Sequence, residues 1–194
     1  MKNIAIFASG SGSNAENIIC HFAEKPDFCV KRIYCNVPDA FVLERAQKYD
    51  VPTMVFDRQA FRDPKKVLRQ LEEDNTDFIV LAGFLWLMPD FIIAAYPNRI
   101  VNIHPALLPA YGGKGMYGHH VHEAVIAAKE QESGITIHFV NEHYDSGSII
   151  FQAKCPVLPT DNASDLADRV HGLEYKYFPE IIEQTILDME ECED

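Results

Sequence analysis

No stretch of the sequence is long and apolar enough to cross a bilayer. The longest apolar run, Phe78 to Met88, falls well short of the roughly 20 residues a spanning helix needs. Paired cysteines are missing too. Cys20, Cys29, Cys35, Cys155 and Cys192 are odd in number and lack any CxxC spacing, which excludes a disulfide or zinc framework and reads as reduced thiols of a cytoplasmic protein. Positive charge is scarce, with Lys+Arg 17 against Asp+Glu 29 and a net charge of −12. That balance argues against nucleic acid or an anionic membrane as a general partner, while a local patch can still hold a phosphate. Repeats, linkers and low-complexity segments are absent, and Met1-Lys2-Asn3-Ile4 lacks a signal-peptide pattern. The 194 residues are long enough for a real core. They predict one domain over 1–188 and an acidic, fraying tail over 189–194.

What is present alternates between strand and helix. Ile4 to Ala8 is apolar and breaks into Ser9-Gly10-Ser11-Gly12-Ser13-Asn14, after which Ile18, Ile19 and Phe22 mark one helix face. Glycines allow the tight turn, and the free N–H groups of Gly12 and Ser13 at a helix start attract an anion. The alternative is a purely structural turn. Gly10, Gly12 and Ala15 also fit the G-x-G-x-x-A dinucleotide pattern. That pattern wants an acidic residue closing the second strand, and Val30 to Cys35 ends in Asn36. The loop therefore reads as a monophosphate site. Asp39–Tyr49 reads as helix, Thr53–Phe56 as strand, Asp63-Pro64 as the start of a helix to about Glu73, and Phe78–Ala82 as a buried strand. The alternation predicts an α/β, three-layer Rossmann-like sandwich with a mostly parallel central sheet.

Chemistry concentrates at Ile100-Val101-Asn102-Ile103-His104-Pro105. The β-branched residues suit a core strand. Asn102 and His104, two apart, project to one face, and Pro105 ends the strand. An amide and an imidazole thus meet at the strand's carboxyl end, where open α/β sheets place ligands. Either residue alone reads as a satisfied core group, but burying both together without a purpose is costly. Asp145, before Ser146-Gly147, is either a turn former or a partner to this pair. Leu85, Trp86, Leu87 and Met88, which carry the only Trp, are either core or the wall of an apolar pocket. Ala106–Tyr117 reads as a mobile lid. His119, His120 and His122 read as a solvated helix face, with no metal expected. Gly134–Val140 and Ile149–Ala153 read as strands. A last helix follows Pro159-Thr160-Asp161-Asn162, with Ser164 as another candidate cap. Leu166, Val170, Leu173, Tyr177 and Ile181 are its expected stripe, and Glu174 lies on the stripe's edge.

The segments Ser9–Asn14, Leu81-Ala82-Gly83-Phe84, Asn102-Ile103-His104-Pro105-Ala106-Leu107-Leu108-Pro109 and Asp145-Ser146-Gly147 together resemble the folate-dependent formyltransferases, from Lys2 through the final helix. The resemblance implies formyl transfer from 10-formyltetrahydrofolate, as cosubstrate, to glycinamide ribonucleotide in purine (IMP) biosynthesis. It implies Asn102, His104 and Asp145 as the catalytic set, and Gly12, Ser13, Asn14, His171 and Glu174 along the nucleotide. Leu85, Trp86, Leu87, Met88, Asn102, Asn141, Glu142, His143 and Tyr144 would enclose the folate. Two positions depart from the family pattern: Trp86 and Pro64 stand where relatives carry arginines, with Arg62 and Lys65 beside Pro64. The Gly112–Gly118 stretch resembles one branch of the family. The rival readings are a formyltetrahydrofolate hydrolase, a methionyl-tRNA formylating enzyme and a non-catalytic nucleotide-binding module. The first two carry a further N- or C-terminal domain, which the start and end of this chain speak against.

Overall fold

A computed structural model of the chain describes residues 1–191. In chain order the elements are β1 (Lys2–Ala8), α1 (Ser13–Phe22), β2 (Phe28–Cys35), α2 (Val42–Lys48), β3 (Thr53–Val55), α3 (Arg58–Arg62), α4 (Val67–Glu73), β4 (Phe78–Leu81), α5 (Asp90–Ala95), β5 (Ile100–His104), α6 (His119–Ala127), β6 (Glu132–Phe139), β7 (Ile149–Pro156) and α7 (Ala163–Glu191). The strands form one seven-stranded sheet in the order β3-β2-β1-β4-β5-β6-β7. β1 runs parallel to β2 and β4, β2 runs parallel to β3, and β6 runs antiparallel to β7. This is the mostly parallel α/β sheet that the alternation predicts. Among the described residues no helix is long and apolar enough to cross a membrane. Cys20, Cys29, Cys35 and Cys155 are free thiols. Cys192 and the end of the expected acidic tail lie outside the described residues.

Two compact units make up the chain, Met1–Val101 and the residues from Asn102 on. In the first, β4 is buried throughout and β1 from Ile4 to Ala8, the condition under which a strand reads as a continuous apolar run. Phe7 stacks on Tyr34 at 4.7 Å and meets Phe84 edge-on at 5.3 Å. The buried Asp74 accepts hydrogen bonds from Arg32, Tyr34 and Gln70. Burial alone would raise its pKa, but these partners hold it below the usual carboxylate range.

The expected helix from Asp63-Pro64 to about Glu73 is present with a later start, as α4, which ends at Glu73. A short α3 that the sequence reading lacks precedes it, capped by Asp57, whose Oδ1 accepts the Ala60 N–H at 2.7 Å. α4 starts only at Val67. Asp63 is extended (φ −97°, ψ 111°), as the residue before proline prefers. Pro64 therefore separates two helices.

In the second unit, α7 opens on a capping box. Asn162 Oδ1 accepts the Ser164 and Asp165 N–H groups, while Asp165 accepts the Asn162 N–H. Asn162, and not Ser164, is the cap. The buried line of α7 is Leu166, Val170, Phe178, Ile182 and Ile186, so beyond Gly172 it runs one residue later than the expected Tyr177 and Ile181. A strict step of four passes through position 174. Glu174 thus stands within the buried stripe, its side chain only 12% exposed.

Candidate active site

β5 is buried except for the half-buried Asn102, and the His104 side chain is 4% exposed. The period of two sets both side chains on one face. Asp145 joins them. Its Oδ2 lies 3.6 Å from His104 Nδ1 and accepts the Gly113 N–H at 2.9 Å. Its Oδ1 lies 3.6 Å from His138 Nε2 and accepts the Asn102 amide at 3.5 Å. Asp145 adopts φ 52°, a left-handed conformation that Asp tolerates better than most residues. Asn141 builds the turn that delivers it: its Oδ1 accepts the His143 N–H and the Ser146 hydroxyl, both at 3.0 Å. At the other side of the turn, a Cβ on Gly147 would overlap the Phe139 carbonyl, so only glycine fits.

The ring nitrogens of the two histidines are distinguishable. His138 Nδ1 faces the Phe139 carbonyl at 2.8 Å, which places a proton there and leaves Nε2 to accept the Asn102 amide at 3.1 Å. His104 Nε2 faces the Tyr111 carbonyl at 2.7 Å and carries the proton. With Asp145 at its other nitrogen, His104 has acceptors on both sides, an environment shaped for the imidazolium. Burial opposes this and prevails. It pushes the His104 pKa down, while Asp145 and the Tyr111 carbonyl pull it up. The charged imidazole expected from the carboxylate alone is therefore disfavoured relative to a free histidine. Asp145 itself titrates below the usual range: burial raises it, but His138, His104 and Gly113 outweigh that.

The loop expected to be a lid lies over these groups through its backbone. The Tyr111 carbonyl occupies His104 Nε2 and the Gly113 N–H occupies Asp145. The Tyr111 hydroxyl is tied to Glu130 at 2.7 Å. The loop's near end is fixed by the fully buried Thr136. Its hydroxyl donates to the Ala106 carbonyl and accepts the Leu108 N–H and the Gln152 amide. Replacing Thr136 by Val keeps shape and removes all three bonds. Each orphaned group costs about 1–3 kcal/mol, so a clear loss in denaturant unfolding is expected. An unchanged midpoint would show the loop to be held elsewhere.

His138 and Thr136 were missed in the sequence. The signal was there: two polar side chains two apart on an apolar strand, as in β5. His122 is a correction, because it is not on a solvated face. It is 5% exposed, its Nδ1 has no hydrogen-bond partner among the described residues, and burial pushes its pKa down. His119 and His120 are exposed and pair with Glu123. On α7, His171 Nδ1 meets Glu174 at 2.9 Å, and this bond raises the His171 pKa.

In the first unit the glycine loop has the expected form. Gly12 caps α1 at φ 72°, and Ser13 and Asn14 open the helix. Ser9 ties the strand ends together, donating to Asn36 at 2.6 Å and accepting the Leu85 N–H at 3.0 Å. Arg45 donates to the Ser11 carbonyl and pairs with Glu16. A side chain at Gly12 would not protrude toward a bound anion, because its Cβ would overlap Val42 on α2. Gly12→Val therefore combines overpacking with a β-branched residue at positive φ, each costing about 1–3 kcal/mol. The expected result is a fall in thermal unfolding temperature, without selective loss of phosphate binding. An unchanged unfolding temperature would refute the overlap.

Trp86 is half-buried against Phe56, Phe61 and Phe84, and Met88 is buried. Leu85 and Leu87 are 46% and 39% exposed. The run is thus core and surface in alternation. The turn residues Glu142, His143 and Tyr144 are exposed as well.

A buried carboxylate flanked by two imidazoles and an amide, at the carboxyl end of a sheet strand, defines an α/β protein equipped for proton transfer and oxyanion contact. The chain belongs to the formyl transferase family, whose model matches residues 2–182. It is 41% identical over 189 residues to a Vigna unguiculata protein named phosphoribosylglycinamide formyltransferase, chloroplastic, covering 94% of this chain and 60% of that one. A Bacillus subtilis protein named phosphoribosylglycinamide formyltransferase is 35% identical over 191 residues, covering 96% and 95%. The chain spans 60% and 64% of the two plant relatives, from Vigna unguiculata and Arabidopsis thaliana. The crystal structure of phosphoribosylglycinamide formyltransferase from Bacillus halodurans superposes with a TM-score of 0.85 at 36% identity, covering 94% of each chain.

Proposed function

We propose that the chain transfers the formyl group of 10-formyltetrahydrofolate to the amine of glycinamide ribonucleotide. The carrying observation is the convergence of Asn102, His104 and His138 on Asp145 in a chain of this family. In the reaction the amine nitrogen bonds to the formyl carbon and gives up a proton. The bond from that carbon to N10 breaks, and N10 takes a proton. Between these events the carbonyl oxygen carries negative charge. Asn102, released from His138, and the His104 Nε2 proton, released from Tyr111, are the donors for that oxygen. His104, as the imidazolium, then hands its Nε2 proton to N10, and the proton that the amine gives up restores it. No side chain need act as a nucleophile.

The first turn of α1, which Gly12, Ser13 and Asn14 open, is suited to a phosphate by the positive end of the helix dipole. His171 and Glu174 are assigned to the same nucleotide, and the inward carboxylate of Glu174 supports this. The folate is assigned to Leu85, Trp86, Leu87, Met88 and Asn102 and to the turn 141–144. Unpaired thiols support a cytoplasmic setting. The test is incubation with 10-formyltetrahydrofolate, with and without glycinamide ribonucleotide, following loss of the formyl group from the folate. Consumption only when both are present is expected. Formate release without the amine would mean a hydrolase, and no consumption in either arm a binding module.

A further inference from the structure

We infer that Arg58, held flat on Trp86, receives the anionic tail of the formyl donor, an inference that rests on the folate reading above. The Arg58 guanidinium carbon lies 4.5 Å from the centroid of the Trp86 ring. Stacking of this kind fixes the plane of the fork and leaves its edge donors free. Trp86 is in turn fixed by Phe56, Phe61 and Phe84, with centroids 5.7–6.3 Å away. The arginine is therefore preorganised by a rigid cluster, although it is exposed.

Its surroundings point to a carboxylate. In a chain of net charge −12, Arg58, Arg62, Lys65 and Lys66 are all exposed. Among the described residues none of them is in an ion pair. The nearby carboxylates are otherwise engaged: Asp57 caps α3 and Asp63 accepts the Lys65 N–H at 2.9 Å. Leu85 and Leu87, which flank Trp86 in the chain, are exposed. A guanidinium fork seated on an indole, in a run with exposed leucines, matches a ligand with an apolar aromatic body that ends in carboxylates. A folate, whose aminobenzoyl ring carries a glutamate, has that form. The same pair also accounts for Trp86 itself, since an arginine at position 86 would repel Arg58 where an indole seats it.

The test compares two donors by calorimetry: 10-formyltetrahydrofolate, and 10-formyltetrahydropteroate, which lacks the glutamate. For Arg58→Gln, binding of the folate is expected to weaken about tenfold, the scale of one lost charge-assisted hydrogen bond, while binding of the pteroate holds. Arg58→Lys is expected to recover part of the loss, since it keeps the charge but not the fork. Equal weakening of both donors would show Arg58 to act only by packing on Trp86. That outcome overturns the inference, as does no weakening of either. A wild-type protein that binds neither donor would overturn the folate reading and this inference with it.

Discussion

His104→Ala is expected to lower kcat for formyl transfer by about 10²–10⁴-fold, the usual worth of a general acid–base group. Folate and nucleotide affinities should change far less. The ring is buried and fully committed, with Tyr111 at one nitrogen and Asp145 at the other, so no neighbouring group can take its place. Burial pushes its pKa down ahead of the upward pull of Asp145. Its imidazolium is thereby a stronger acid than free imidazolium, which suits proton delivery to a weakly basic leaving nitrogen. Turnover that depends on that proton should decline as pH rises through a value below the ordinary 6.5. The same shift enters stability. With the folded pKa below the unfolded one, the neutral ring contributes stability that is present above the unfolded value. It is lost as pH falls through the folded value. Denaturant unfolding of His104→Ala should show less acid sensitivity in that window. A kcat within about tenfold of wild type, too small a loss for a lost acid–base group, would remove His104 from the chemistry.

How much of this was readable in the sequence depends on where the physics is local. The β5 motif was readable, because a two-residue period and a terminal proline need no tertiary information. So was the loop from Ser9 to Asn14, whose glycines announce their own conformation. His138 and Thr136 carry the same period-two signal. Their partners, Asn102 on β5 and Ala106 and Leu108 in the loop beyond it, are brought close only by the fold. Gly12 reads as the residue of a tight turn, but the neighbour that crowds it, Val42, arrives from another helix and leaves no local signal. Pro64 reads as the start of the helix to Glu73, and α4 begins three residues beyond it; the Asp57 cap and the effect of Pro64 on Asp63 are the signals for the separate α3 before it. On α7 a step of four, and not a heptad-like mixture, decides the buried line, and that step is what turns Glu174 inward. The pKa of His104 was least readable: a carboxylate in the sequence shows attraction, whereas the opposing burial belongs to the packed structure.

Asp145→Asn is the sharper experiment, because it separates charge from shape. Asparagine tolerates the left-handed φ of 52° as aspartate does, so a residue that only forms its turn would be replaced silently. Asp145, however, receives hydrogen-bond donors on both oxygens, Gly113 on Oδ2 and Asn102 on Oδ1. An amide has one oxygen. Whichever way it is turned, one N–H of the neighbours faces an NH₂ group. The substitution should therefore destabilise by about 1–3 kcal/mol, the scale of one orphaned buried group. Stability alone would not reveal a role in catalysis, and the pH profile does. Removing the carboxylate removes the main force opposing burial at His104, so the His104 pKa falls further and the limb governed by its proton moves to lower pH. Near neutrality turnover is expected to drop by about 10²–10⁴-fold, with part of it regained on acidification. The wild-type Asp145 carboxyl is held low despite its burial by His138, His104 and Gly113. Its stabilising contribution is present above the ordinary carboxyl value and lost as pH falls through the lowered one. That acid loss should be absent from the variant. A variant with wild-type turnover and an unshifted limb would leave Asn102 and His104 to work without Asp145.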